Sequence, residues 1–281
     1  MSQSLSHAIA PCLSALKAQG KTALIPYITA GDPAPSYTLE FMHALVDSGA
    51  DILELGVPFS DPMADGAVIQ AAHERALQHD VSLADVLDIV AAFRTKNQTT
   101  PVVLMGYLNP VEAMGYEEFS QRASVAGVDG VLTVDMPPEE SAALSVALRE
   151  QGLDPIYLIA PTSPQARIKS ITAAASGFVY YVSLKGVTGA ATLDVAAVAA
   201  KLDEIRQESD IAVAVGFGIK DGETAAKLAG VADAVIIGSA IIQHIADNVA
   251  EPDVIKEKIS ALTSEIRLAI DQTNDLQKTS A

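Results

Sequence analysis

An α/β barrel of eight strand–helix units is the fold this sequence predicts, on three observations. Short apolar runs alternate with longer amphipathic segments from residue 22 almost to the end, with no Ser/Gly-rich linker between them. The runs are apolar at nearly every position, as parallel strands covered on both faces require. Glycine-rich turns follow the last three runs, whereas the first run is followed by Gly31-Asp32-Pro33 and lacks the GxGxxG of an open dinucleotide-binding sheet.

The elements follow in order. An N-terminal helix occupies residues 1–20. Strands are expected at ALIPYIT (23–29), DILELG (51–56), PVVLMGY (101–107), GVLTVD (130–135), PIYLIA (155–160), FVYYVS (178–183), IAVAVG (211–216) and DAVIIG (233–238). Helical patterns lie between them at 36–48, 67–97, 112–126, 138–151, 164–175, 194–207 and 221–229, with a last helical region at 239–273. The long excursion after strand two, the N-terminal helix and the region after strand eight are extra to a minimal TIM barrel. In the last of these, Ile255, Ile259, Leu262, Ile266 and Ile270 recur at helical spacing, which predicts packing onto the barrel. The whole chain, 1–281, reads as a single TIM-barrel domain, with the barrel at about 22–273 and a tail at 274–281.

Composition narrows the function classes. The chain is 49% hydrophobic and 19% charged, rich enough for a large core. A formal net charge of −17 disfavours nucleic acid and anionic lipid surfaces as partners. The single cysteine, Cys12, excludes an internal disulfide. The N-terminal stretch lacks the basic start and long apolar run of a signal peptide, and no apolar run is long enough to span a bilayer. A cytoplasmic location is expected.

Function is sought at the C-terminal ends of the strands, where barrel active sites are built. The late turns Gly186-Val187-Thr188-Gly189, Gly216-Phe217-Gly218-Ile219 and Gly238-Ser239-Ala240 expose backbone N–H groups, and Ser239 opens a helix, so a phosphate is a natural ligand without any basic side chain. Glu54 interrupts an otherwise apolar strand. Burial there raises a carboxyl pKa and equips it to donate as well as accept a proton near neutrality. Asp65 follows in a loop, where solvent and turn N–H groups are expected to keep it ionised, so the two carboxyls suit paired acid and base roles. A structural ion pair is the alternative for Glu54, and turn chemistry for Asp61 and Asp65. Tyr27, Met105, Tyr107 and Phe217 line an apolar pocket for a flat substrate or belong to the core.

Other chemistries fit the pattern less well. His7, His43, His73, His79 and His244 lack metal-ligand spacing and are expected mostly at the surface, so no metal site is predicted. Lys185 and Lys220 lie in polar loop settings unsuited to a Schiff base.

The stretch LELGVPFSDPMADG (53–66) resembles the signature of the tryptophan synthase alpha chain family. The likeness continues through GDPAPS (31–36), GYLNP (106–110), VDMPPEE (134–140), YYVSLKGVTGA (180–190), VGFGIKD (215–221) and IIGSAII (236–242), covering nearly the whole chain. The resemblance implies a retro-aldol cleavage of indole-3-glycerol phosphate to indole and D-glyceraldehyde 3-phosphate, with no metal or organic cofactor in this chain. It implies that Glu54 shuttles the protons and that Asp65 accepts a hydrogen bond from the indole N–H. It makes Tyr180 a pocket tyrosine hydrogen-bonding near the acid and Thr188 a loop residue closing on Asp65. Gly189, Gly218, Gly238 and Ser239 become the phosphate cradle. A beta chain carrying pyridoxal phosphate is the implied partner in an α2β2 heterotetramer that channels indole, with Pro58, Asp61 and Asn109 in segments facing it. The loops at about 56–66 and 183–193 are then lids that exclude water.

Overall fold

The computed structural model describes residues 8–183, 194–216 and 218–280. Eight parallel strands close into a barrel in sequence order: β1 (Ala23–Thr29), β2 (Leu53–Gly56), β3 (Val102–Gly106), β4 (Gly130–Thr133), β5 (Asp154–Ile159), β6 (Phe178–Val182), β7 (Ala212–Gly216) and β8 (Ala234–Ile237). Closure is made by β8 pairing with β1, Ala23 opposite Ala234 and Ile25 opposite Ile236. The expected barrel is thus the observed one, with strand positions shifted by a residue or two at their ends.

Alternation divides each strand between two cores. Side chains pointing inward, among them Ala23, Ile25, Ile52, Val103, Leu132, Ile156, Phe178, Tyr180, Ala214 and Ile236, fill the barrel interior. Their neighbours, such as Leu24, Leu53, Leu55, Leu104 and Val179, pack outward beneath the helices. Helix α1 (Ile9–Ala18) closes the lower end of the barrel, pressing Ile9 and Leu13 into the inner cluster. The opposite, C-terminal mouth is left for the loops.

The remaining helices are α2 (Pro35–Asp47), α3 (Ala67–Leu77), α4 (Leu83–Arg94), α5 (Leu108–Met114), α6 (Tyr116–Ala126), α7 (Ala142–Glu150), α8 (Gln165–Ala174), α9 (Val195–Glu208), α10 (Gly222–Leu228), α11 (Ser239–Ala246) and α12 (Pro252–Ser280). Three expected segments are divided or extended. The excursion at 67–97 is two helices, because Asp80 takes a left-handed φ of 54° and Ser82 starts α4 with a reciprocal capping box to Asp85. Ser82→Ala is expected to cost about 1 kcal/mol, a loss of an N-cap readable by thermal or urea unfolding. The segment after β3 starts earlier than 112 and breaks at Gly115, whose φ of 90° suits glycine alone. The final region breaks at 247–251, and helix α12 then continues through the expected tail to Ser280. Its stripe Ile255, Ile259, Leu262, Ile266 and Ile270 is buried, as its spacing predicts.

Helix α3 matters most for the site. It is tied to the loop after β1 by Arg75, which donates two hydrogen bonds of 2.7 Å to the buried carboxylate of Asp32. His79, just beyond the helix, meets the carbonyl of Pro33 at 2.9 Å. Among the described residues no helix is long and apolar enough to cross a membrane.

Candidate active site

Glu54 shares the inward face of β2 with Ile52, while Leu53 and Leu55 point outward. It is 1% exposed, and its Oε1 has no hydrogen-bond partner among the described residues. Across the sheet it pairs in register with Tyr27 on one side and Val103 on the other, so its flanks are an aromatic ring and an aliphatic side chain. Among the described residues no ion pair compensates it. Burial, reinforced by the charge of Asp65, raises the Glu54 carboxyl from its ordinary 4.5 to about 8. At neutral pH the group therefore holds a proton and has a counterpart nearby that does not match it in environment.

Two inward tyrosines frame this carboxyl. The Tyr27 hydroxyl shares a 3.1 Å hydrogen bond with Thr29 and lies over Gly56, where any Cβ would stand 2.1 Å from the phenolic oxygen. Likewise the Tyr180 hydroxyl lies over Gly216, with the corresponding distance 2.2 Å. Glycine at these two strand ends makes room for the phenols. Burial drives both hydroxyls well above the ordinary tyrosine value, with Glu54 and Asp65 adding to the rise, so both remain neutral donors. Tyr180 lies on the inner face of β6 and is influenced by the charge of Glu54, but no hydrogen bond joins it to the Glu54 carboxyl.

Asp65 differs from the sequence expectation. It is not a solvated loop carboxylate: its side chain is 2% exposed. What replaces solvent is Tyr107 at the end of β3, whose hydroxyl donates to Asp65 Oδ2 at 2.7 Å and accepts from the Ala64 N–H at 3.0 Å. Desolvation and the adjoining carboxylate push the Tyr107 phenol upward, so it stays a donor. Tyr107 is therefore more than a pocket wall; it clamps the loop after β2, and its ring stacks on Phe59 of that loop at 5.0 Å.

His73, one of the histidines the sequence places mostly at the surface, belongs here. It is buried rather than at the surface; its Nδ1 accepts from the Phe59 N–H at 3.0 Å and its Nε2 lies 3.5 Å from Asp65 Oδ2. The signal was available: Ile69, Ala72, His73 and Ala76 occupy one buried helical face.

After β8, which lies one strand beyond β1 from β2, Gly238 caps α11, with Ser239 exposed as its first residue. Gly238 lies against the Tyr27 ring, where a Cβ would sit 3.5 Å away. Gly218 is exposed in a left-handed φ of 82°. Thr188, Gly189 and Phe217 lie outside the described residues, as does most of the 183–193 loop. Of the segments expected to face a partner, Asp61 and Asn109 are exposed, whereas Pro58 is buried at the end of β2 and offers no surface. Met63, between Asp61 and Asp65, is 84% exposed. Among the described residues no cluster of His, Cys, Asp and Glu is arranged to hold a metal ion.

This arrangement offers one protonated carboxyl in an apolar wall, one carboxylate held by a phenol, and the N-terminus of α11 at the mouth. It suits proton transfer to and from a substrate whose developing charge is stabilised by the second carboxyl.

Comparison with known proteins points the same way. A family model described as tryptophan synthase alpha chain matches residues 13–271. The tryptophan synthase alpha chain of Thioalkalivibrio sulfidiphilus is 61% identical over 263 residues, which cover 94% of this chain and 99% of that one. That of Nitrosococcus oceani is 58% identical over 261 residues, 93% and 96% of the two chains. The crystal structure of tryptophan synthase subunit alpha from Legionella pneumophila str. Paris matches with a TM-score of 0.87 at 46% identity, covering 94% and 98%. A structure of Mycobacterium tuberculosis tryptophan synthase matches with a TM-score of 0.85 at 35% identity, covering 93% and 97%.

Proposed function

This chain belongs to the tryptophan synthase alpha chain family, and from that premise we propose how its residues divide the work of the reaction. The chain is a lyase that cleaves indole-3-glycerol phosphate in tryptophan biosynthesis, and it works in partnership with a beta chain.

Glu54 is the proton carrier. Its carboxylic acid gives a proton to indole C3, and the carboxylate so formed takes the proton of the side-chain hydroxyl on the carbon next to the ring. The carbon–carbon bond then breaks, its electron pair returns to the ring, and indole and D-glyceraldehyde 3-phosphate separate. Over the cycle Glu54 recovers its proton. Asp65 accepts a hydrogen bond from the ring N–H and stabilises the positive charge that builds there once C3 is protonated. The observation that carries this reading is the unpartnered Glu54 Oε1, buried at the C-terminal end of β2 on a carboxyl raised to about 8.

Around that centre, Tyr27, Tyr107 and Tyr180 supply the wall of the indole pocket, with Phe217 assigned to it from its sequence motif. The N-terminus of α11 at Gly238-Ser239, with Gly218 and Gly189, takes the phosphate through backbone N–H groups. Thr188 is assigned to loop closure. No cofactor is needed for these steps; pyridoxal phosphate belongs to the beta chain. The assembly is α2β2, with Asp61, Asn109 and the exposed Met63 on the face toward the partner, and the location is cytoplasmic.

The test is release of indole from indole-3-glycerol phosphate by the purified chain, with and without a beta chain. Wild type is expected to release indole and to be stimulated by the partner. Asp65→Asn, which keeps the shape and loses the charge, is expected to lower kcat about 10²-fold. Binding of substrate without indole release, even with the partner present, would make this chain a binding subunit instead.

A further inference from the structure

We infer that His73 is a positioning residue for the cleavage reaction, one that decides which oxygen of Asp65 is presented to the substrate. The inference rests on the assignment of Asp65 as the charge-stabilising acid.

A buried imidazole costs stability unless its polar atoms are satisfied. His73 has a 3%-exposed side chain on the inner face of α3. Its Nδ1 accepts a hydrogen bond from the Phe59 backbone at 3.0 Å and so carries no proton. The neutral ring then has its single N–H at Nε2, and Nε2 is the atom that faces Asp65 Oδ2 at 3.5 Å. The loop backbone thereby sets the tautomer that a carboxylate prefers to meet.

Tyr107 uses the same oxygen. Its hydroxyl donates to Asp65 Oδ2 at 2.7 Å, and its ring meets the His73 ring edge-on at 6.5 Å between centroids. Oδ2 therefore accepts one hydrogen bond, from Tyr107, and has His73 Nε2 facing it at 3.5 Å, while no described residue donates a hydrogen bond to Oδ1. The terminal torsion of an aspartate is broad and roughly two-fold, so one hydrogen bond alone tolerates considerable rotation of the carboxylate. The N–H dipole of His73 facing the same oxygen narrows that rotation and leaves Oδ1 directed to the ligand. At 3.5 Å the imidazole contributes orientation more than bond strength. His73 also ties α3 to the loop at Phe59 through its Nδ1.

The experiment measures steady-state cleavage of indole-3-glycerol phosphate by the full chain with its beta chain. The variants are His73→Met, His73→Gln, Asp65→Asn and the double variant Asp65→Asn/His73→Met, each with a melting curve. Met fills the volume without polar atoms; Gln restores an N–H near the position of Nε2. His73→Met is expected to lower kcat about tenfold with KM changed less than about twofold, as for a contact coupled to its neighbour. His73→Gln is expected to recover most of that loss. In the Asp65→Asn background, adding His73→Met is expected to change kcat less than about twofold, because the group it positions is gone.

An equal loss in both backgrounds, or a wild-type kcat in His73→Met, overturns the inference and leaves His73 a packing residue. If Asp65→Asn itself keeps wild-type kcat, the role of Asp65 fails first and takes this one with it. Should His73→Met not fold, His73→Ala serves the same comparison with His73→Gln.

Discussion

Glu54→Gln is expected to lower kcat for indole-3-glycerol phosphate cleavage by about 10²–10⁴-fold while leaving substrate affinity nearly unchanged. The substitution is close to isosteric, and Glu54 is flanked by Tyr27 and Val103, so the pocket wall keeps its shape. What is lost is the proton. An amide neither protonates indole C3 nor takes the hydroxyl proton afterwards, so both halves of the cycle fail together. The pH profile supplies an independent check with a definite sign. The acid form starts the reaction, and that form is lost as pH rises through about 8 in the free protein. Wild-type kcat/KM is therefore expected to fall on the alkaline side with an apparent pKa near 8, and the residual rate of Glu54→Gln is expected to lack that limb. Titration calorimetry with substrate on the inactive variant measures the affinity. Retention of more than a tenth of wild-type turnover would remove Glu54 from the chemistry.

The extent to which this site was readable from sequence follows from the range over which each feature is determined. The strands were legible because a parallel strand buried on both faces has to be apolar at nearly every position, as Val102, Val103 and Leu104 are. Glu54 stood out as the exception to that rule. The helix breaks at Asp80 and Gly115 were less visible, because each turns on one residue adopting a positive φ inside a continuing apolar pattern. The burial of Asp65 was not legible at all. It depends on Tyr107, forty-two positions away in the chain, whose hydroxyl reaches the loop only after β2 and β3 are paired. His73 was obscured for a related reason: a histidine among Ala, Glu and Arg reads as a surface residue until the buried face of α3 is traced through Ile69, Ala72 and Ala76. Residues that act directly were marked by their chemical incongruity, and residues that hold them were marked only by geometry.

The cost of Glu54 to the fold is the second large effect, and its dependence on pH has a definite direction. In the unfolded chain the group titrates near its ordinary 4.5, and in the folded protein near 8. Between those values the folded state carries a proton that the unfolded state has released. Stability from this site is then fully present below about 4.5 and is lost as pH rises toward 8, beyond which the loss levels off. At about 1.4 kcal/mol for each pH unit separating the two values, the loss is about 5 kcal/mol, a large share of what a domain has in total. Glutamine at this position has no such dependence. Whatever fixed cost its buried amide carries is the same at every pH, so it cancels when the two proteins are compared along a pH series. The difference in unfolding free energy, Glu54→Gln minus wild type, is therefore expected to shift in favour of the variant by several kcal/mol between pH 5 and pH 8.5, measured by urea unfolding. A difference that stays flat across that range would mean that Glu54 is already ionised in the folded protein at neutral pH. The same proton that makes the site reactive would then have to come from elsewhere. A difference that grows as described makes the low tolerance of the fold for a charged Glu54 and its competence as an acid two measurements of one quantity.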